Sequence, residues 1–218
     1  MTAELTRDAL TRFPSNGPTD PIRYYTRPMT GWMFRERINL GLRMLRGRSF
    51  ERALEVGYGA GAVQMALHGV AQECHGIDLD ADPALAMGVL ADMGLRSELR
   101  AGSVYDLPYR DGEFDLVASF STFEHLDRYD RALDEVCRVL RRDGCFLLGM
   151  PAVNRMMEAG FLAIGFKGIN DHHVTTPGQV AARFATHGLK VLRHARLTLP
   201  LPGALGVPVY YDWLLERR

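Results

Sequence analysis

Hydrophobic positions change their period several times along the chain. From Gly31 to Leu45 the apolar residues Phe34, Ile38, Leu42 and Leu45 recur at helical spacing, while Arg35, Asn39 and Arg43 fall off that face; this predicts a helix ahead of the main fold. Short apolar runs then alternate with helical segments. Ala53 to Val56 reads as a strand and Ala62 to Val70 as a helix, followed by a second strand, Cys74 to Leu79, and a second helix, Pro83 to Leu95. Ser97 to Val104 is a third strand, Phe114 to Phe120 a fourth, and Arg128 to Arg141 the helix after it. Arg142-Asp143-Gly144 reads as a turn before a fifth strand, Cys145 to Met150, closed by Pro151. Thr176 and Pro177 suit the cap and first position of a helix reaching His187-Gly188, and Lys190 to Leu197 is a sixth strand. Pro208 to Arg218 is left open between helix and strand.

Strands alternating with helices of this length imply crossover units, hence an α/β fold: a doubly wound, mostly parallel sheet with helices on both faces. The 218 residues suit one domain, 1–218. Within it, residues 1–30, rich in Pro, Gly, Thr and Asp, read as an irregular arm. Residues 152–175 read as a lid-like insert carrying Met156, Met157, Phe161, Leu162, Ile164 and Phe166. With Tyr24, Tyr25 and Trp32 that insert would make an apolar lid, although such residues at helical spacing are more often plain core.

Charge narrows the partners. Lys plus Arg and Asp plus Glu each number 26, so the chain is neutral and no nucleic-acid partner is expected. The local run Arg43, Arg46, Arg48 and Arg52 reads as a solvated helix end. Cys74, Cys137 and Cys145 show no paired or metal-ligand spacing and read as thiols in a reducing compartment. The first residues lack a signal-peptide pattern. The stretch 159–166 is too short to span a bilayer, and 197–211 is broken by Pro200, Pro202 and Pro208. A cytoplasmic protein with no stable membrane insertion is expected; the oligomeric state is left open.

Candidate chemistry begins where the first strand runs into Glu55-Val56-Gly57-Tyr58-Gly59-Ala60-Gly61. Glycine permits positive φ and lets a ligand approach the backbone, so a loop of this kind feeding a helix cradles nucleotides. Asp78 ends the next strand, about 20 residues on, where an acidic side chain can accept hydrogen bonds from ribose hydroxyls. Gly57, Gly59 and Ala62 also satisfy the dinucleotide fingerprint, so these residues alone leave a nicotinamide-dependent oxidoreductase open.

Three further segments carry a more specific resemblance. Val104 to Val117 (VYDLPYRDGEFDLV), Ser119 to Leu126 (SFSTFEHL) and Arg138 to Leu148 (RVLRRDGCFLL) closely resemble, in order, consecutive segments of the Rossmann-like, class I S-adenosylmethionine-dependent methyltransferases. The likeness is to the small-molecule enzymes of the ubiquinone/menaquinone-biosynthesis type. It covers about residues 52–151 well and 171–191 more loosely. The resemblance implies S-adenosylmethionine as cofactor and a small-molecule acceptor. It places Glu55 near the methionine end, Gly57, Tyr58, Gly59 and Gly61 around methionine and ribose, and Asp78 on the ribose with Leu79 beside the adenine. Ser103, Val104 and Tyr105 match the adenine-contacting loop, and Phe120 a position beside the methionine moiety. The family often has Asp or Asn where this chain has Ser103, which weakens recognition of the adenine amino group there or leaves it to the backbone.

Methyl transfer needs alignment, exclusion of water and, for a hydroxyl or carbon acid, a base titrating near neutrality, which points to histidine. His125 lies just beyond the fourth strand, where a positioning role is favoured over catalysis; His172 and His173 follow the insert and read equally as base or ligand and as polar loop. His125 and His173 are the candidate catalytic residues. A two-histidine metal site finds no third ligand at a telling spacing, so no metal is expected. A non-catalytic cofactor-binding subunit stays open as an alternative. A nucleic-acid amino-methylating enzyme is set aside, because Phe120-Ser121-Thr122-Phe123 stands where its Asp/Asn-Pro-Pro-aromatic tetrapeptide belongs.

Overall fold

A computed structural model describes residues 4–17, 20–28, 30–152, 173–199 and 206–218. His172, the apolar run from Met156 to Phe166, Pro200 and Pro202 lie outside the described residues.

The helices are α1 (Arg7–Leu10), α2 (Ile22–Tyr25), α3 (Gly31–Leu42), α4 (Ala62–Leu67), α5 (Pro83–Asp92), α6 (Tyr129–Val139) and α7 (Pro177–Ala181). The strands are β1 (Phe50–Val56), β2 (Ala71–Asp78), β3 (Ser97–Ala101), β4 (Phe114–Phe120), β5 (Leu140–Pro151), β6 (Leu189–Leu199) and β7 (Val207–Arg217). They form one sheet in the order β3-β2-β1-β4-β5-β7-β6. The first five pair in parallel, whereas β7 enters antiparallel between β5 and β6. The open C-terminal segment is thus a strand; Tyr210, Trp213, Leu214 and Leu215 bury within it, which a surface helix would not allow.

Every residue of β4 is buried, as expected of a central strand covered on both faces. The period of two sends alternate residues into separate cores. Cys145 and Leu147 of β5, with Tyr210 and Leu214 of β7, join the core beneath α3 and α4. Phe146, Leu148, Met150, Trp213 and Leu215 join the opposite core with α6. Helix α6 fits that role because Ala132, Leu133, Val136 and Val139 recur at three- and four-residue steps and are all buried. Truncating Leu133, wholly buried there, to Ala costs about 2–5 kcal/mol.

Several local expectations change. The expected turn at Arg142-Asp143-Gly144 lies inside β5 as an irregularity: β5 pairs Leu140 with Phe114, loses register, and resumes at Cys145 opposite Leu116, with Asp143 at φ 60°. Asn39 is buried rather than facing solvent, because its amide exchanges two hydrogen bonds with the backbone of Leu5, at 2.7 and 3.2 Å. The basic run is not simply solvated. Arg43 pairs with Glu36, Arg46 with Glu4, and Arg52 with Glu73 and Glu113. The helix expected from Pro177 to His187 divides into α7 and a 3-10 turn, Ala185–His187, though its start is capped reciprocally by Thr176 and Gln179. Leu5, Leu10, Phe13, Ile22, Tyr24 and Tyr25 of the arm are buried against the domain. Among the described residues, no helix is long and apolar enough to cross a membrane.

Candidate active site at the carboxyl end of the central strands

The carboxyl ends of β1, β2 and β4 and the loops after them enclose a cavity of about 560 Å³. That volume lies in the range of small-molecule sites, and the position is where open α/β sheets hold ligands. Glu55, Gly57, Tyr58, Gly59, Asp78, Leu79, Ser103, Val104, Tyr105, Phe120 and His125 all line it. Gly61 and His173 do not.

The loop after β1 needs its glycines for different reasons. Gly57 has φ 80°, and a Cβ there would stand 2.1 Å from Thr122 Oγ1. Gly59 (φ 49°) opens toward the cavity, with nothing nearer to an added Cβ than Asp20 at 3.8 Å. Gly61 (φ 88°) begins α4 and faces Ala86 and Leu90 of α5, so it sets helix packing rather than a ligand wall. Asp78 ties this loop to the next: Oδ2 accepts from the Gly59 N–H at 2.8 Å, and Oδ1 from the N–H groups of Asp80 and Ala81 at 2.9 and 3.0 Å. Each carboxylate oxygen has lone-pair capacity beyond these bonds.

Glu55 faces α4, whose Gln64 donates to its Oε2 at 2.9 Å. Burial, opposed by that bond and reinforced by Asp78, pushes its carboxyl up to about 8. Leu79 is 71% exposed, an apolar side chain at the cavity rim with nothing covering it. Ser103 Oγ accepts from the Tyr105 N–H at 3.2 Å, so the serine first shapes its own loop. That loop is braced from α6 by Arg138, which donates to the carbonyls of Leu107 and Tyr109 at 2.9 and 2.7 Å.

Apart from Tyr25, already grouped with the lid, the arm contributes residues that no sequence signal marked. Asn16 donates to the carbonyls of Gly59 and Asp82 and accepts from the Asp82 N–H at 2.8 Å, pinning the arm across the glycine loop. Asp20, Pro21, Ile22 and Tyr25 then line the cavity. Trp32, grouped with the tyrosines as lid, is instead 47% exposed.

Beyond β4 the chain turns sharply, with Ser121 at φ 55° and its hydroxyl 2.9 Å from Tyr210 OH. Next comes a 3-10 turn, Phe123–His125. The N–H groups of Val174 and Thr175 donate to the Glu124 carbonyl, and Thr175 Oγ1 to that of Leu126, which zips 174–175 onto 124–126. His173 thereby reaches His125, ring centroids 5.2 Å apart. Glu124 is 1% exposed, and burial pushes its carboxyl up to about 8. Behind it, the Arg37 guanidinium lies over the rings of Phe34, Tyr25 and Tyr210, and burial raises the Asp212 carboxyl well above the usual range. Asp212 carried no sequence signal, lying in a segment left open between helix and strand, and Glu124 was legible only as the neighbour of a candidate histidine.

Comparison with known proteins converges on one family. Residues 54–148 match the family model described as methyltransferase domain. An uncharacterized methyltransferase, YcgJ, of Bacillus subtilis (strain 168) is 32% identical over 115 residues, covering 52% of this chain and 46% of that protein. A malonyl-[acyl-carrier protein] O-methyltransferase of Geobacter sulfurreducens is 38% identical over 118 residues, 53% of this chain and 43% of the relative. The chain therefore matches about half the length of these curated relatives. The crystal structure of YcgJ superposes with a TM-score of 0.62 at 20% identity, covering 84% of this chain and 99% of that one. Geranyl diphosphate methyltransferase in complex with SAM gives 0.66 at 14%, covering 94% and 98%. At such identities the structural likeness speaks for the fold. A nicotinamide enzyme of the doubly wound type has the order 3-2-1-4-5-6, without the antiparallel strand that β7 inserts here. Residues 54–148 thus match a methyltransferase domain model, and the sheet around them shares the fold of these solved structures.

Proposed function

We propose that the protein is an S-adenosylmethionine-dependent methyltransferase acting on a small-molecule acceptor. The observation that carries this reading is the convergence of Glu55, the Gly57–Gly59 turn and Asp78 on one cavity within the matched domain. The residues fit the cofactor. Gly59 leaves open the space a Cβ would take, and Asp78 holds two carboxylate oxygens at the loop with capacity for ribose hydroxyls. Leu79 offers an uncovered apolar surface for adenine, and Glu55 a buried carboxyl for the methionine ammonium.

When bound, S-adenosylmethionine supplies a methyl group activated by its sulfonium. The residues of the chain do the rest. Val104 and Tyr105 wall the adenine end, while Phe120 excludes water beside the methionine end. Tyr25 and Ile38 line the same cavity and would offer an acceptor an apolar wall. His125, on the cavity wall, is the group positioned to take a proton from an acceptor, and Glu124 Oε1 lies 4.0 Å from its Nε2. Ajmaline N-methyltransferase of Rauvolfia serpentina, 36% identical over 92 residues, acts as its name says on a small molecule, and the neutral charge of this chain supports the same class.

Calorimetric titration with S-adenosylmethionine, S-adenosylhomocysteine and NADH in parallel tests the reading. Saturable binding of both sulfur compounds without NADH is expected; binding of NADH alone overturns it. Turnover of acceptors from an oxygen- and nitrogen-nucleophile panel separates an enzyme from a non-catalytic cofactor-binding subunit.

A further inference from the structure

We infer that Glu124, His125 and His173 form a binding site for a divalent transition-metal ion at the edge of the cavity. The site rests on geometry that sequence spacing conceals. The two histidines stand 48 positions apart and meet because the backbone of 174–175 is bonded onto 124–126, at 2.9 and 3.2 Å from the Glu124 carbonyl. One donor atom from each of the three residues lies within 4.8 Å of the others. An ion with bonds of about 2.1 Å holds tetrahedral ligands about 3.4 Å apart, so closure asks for shifts on the order of 1 Å. His125 is part-exposed and His173 half-buried, so both rings have room to make them.

Glu124 supplies the independent observation. Its side chain is 1% exposed and its Oε2 has no hydrogen-bond partner, an arrangement that leaves a desolvated carboxylate oxygen uncompensated. The other oxygen, Oε1, lies 4.0 Å from His125 Nε2, so a cation held there would compensate the buried carboxylate as a whole. Two imidazoles and one carboxylate suit zinc-type ions rather than magnesium, which prefers oxygen alone. Three protein ligands leave a coordination position vacant, the pattern of sites that bind a substrate atom rather than a structural ion. His125 lines the cavity, which sets the ion at the cavity's edge. With an ion bound, His125 would be its ligand rather than the proton acceptor, and the ion would replace that role by acidifying the oxygen it holds. The ion would take an oxygen of the acceptor, which narrows the acceptor to a molecule bearing a hydroxyl, phenol or carboxyl; that second part rests on the methyl-transfer reading, whereas metal binding does not.

The test is titration of the chelator-treated 218-residue chain with Co²⁺, followed by visible absorption, and with Zn²⁺ in competition. One equivalent is expected, with d–d bands and without the near-ultraviolet charge transfer of thiolate ligation by Cys74, Cys137 or Cys145. His125→Gln and His173→Gln should each weaken uptake by about 100-fold or more, with far-ultraviolet circular dichroism unchanged, while His68→Gln, remote from the site, leaves it intact. No uptake by the wild-type chain, thiolate bands, or full uptake by either cluster variant overturns the site. Binding of S-adenosylhomocysteine by the same samples reports separately on the methyltransferase reading, so the two can fail independently.

Discussion

Replacing Glu55 with glutamine isolates the cost of a carboxyl held between β1 and α4. Its carboxyl is pushed up to about 8, against 4.5 when unperturbed, chiefly by burial. Below pH 4.5 it is protonated in folded and unfolded chains alike and costs nothing. As pH rises from there, the unfolded chain ionises first, so stability falls, and the loss is complete above about pH 8. At ~1.4 kcal/mol for each unit, the full span is worth ~5 kcal/mol. Glutamine keeps an oxygen to accept from Gln64 and removes the titration. Thermal unfolding of both proteins at about pH 5 and about pH 8 should therefore show the variant gaining on the wild type by on the order of 10 °C, since 1 kcal/mol shifts a chain of this size by about 2–4 °C. Melting profiles that run parallel across this interval would refute the assignment of burial as the cause. The same group predicts that wild-type affinity for S-adenosylhomocysteine rises toward about pH 8, because its ammonium recruits the ionised form, and that the variant lacks this rise.

Other perturbations probe the remaining geometry. Asp78→Ala removes the acceptor for three loop N–H groups along with the ribose ligand, and calorimetry should show cofactor affinity lower by about 10-fold or more; unchanged affinity sinks the ribose assignment. Gly57→Ala puts a Cβ 2.1 Å from Thr122 Oγ1 in a backbone at φ 80°, so a melting temperature lower by several degrees and lost cofactor binding are expected. Thr176→Ala deletes a reciprocal cap and should cost about 1 kcal/mol in denaturant unfolding, with Thr176→Ser recovering most of it.

Much of the sheet was readable because strands buried on both faces are short apolar runs. Phe114–Phe120 begins and ends where the pattern says, and each is bounded by a turn or helix signal. The ends of other elements were less visible. Nothing in Arg142-Asp143-Gly144 distinguishes a turn from an irregular stretch of a longer strand, since Gly and Asp serve both. The cofactor cradle was legible because its chemistry is local to Glu55–Gly61 and to Asp78. The arm contacts of Asn16 were not, because a lone polar residue in a Pro/Gly-rich segment reads as solvated until its partners 43 and 66 positions away are known. For the same reason His125 and His173 were seen singly, and Glu124 was not seen as joining them.

The reversed direction of β7 has a consequence for how the chain becomes folded. Among the described strands, β5 and β6 do not touch each other, and the edge strand β6 joins the sheet through β7. During synthesis β5 must wait as an edge for a partner made more than 50 residues later, with Phe146, Leu147, Leu148 and Met150 already in place on its two faces. A nascent chain paused before Val207 thus presents an unpaired border that is apolar from Cys145 to Pro151, the surface on which chains stick to one another. Yield in the cell should depend on how quickly the final strand arrives.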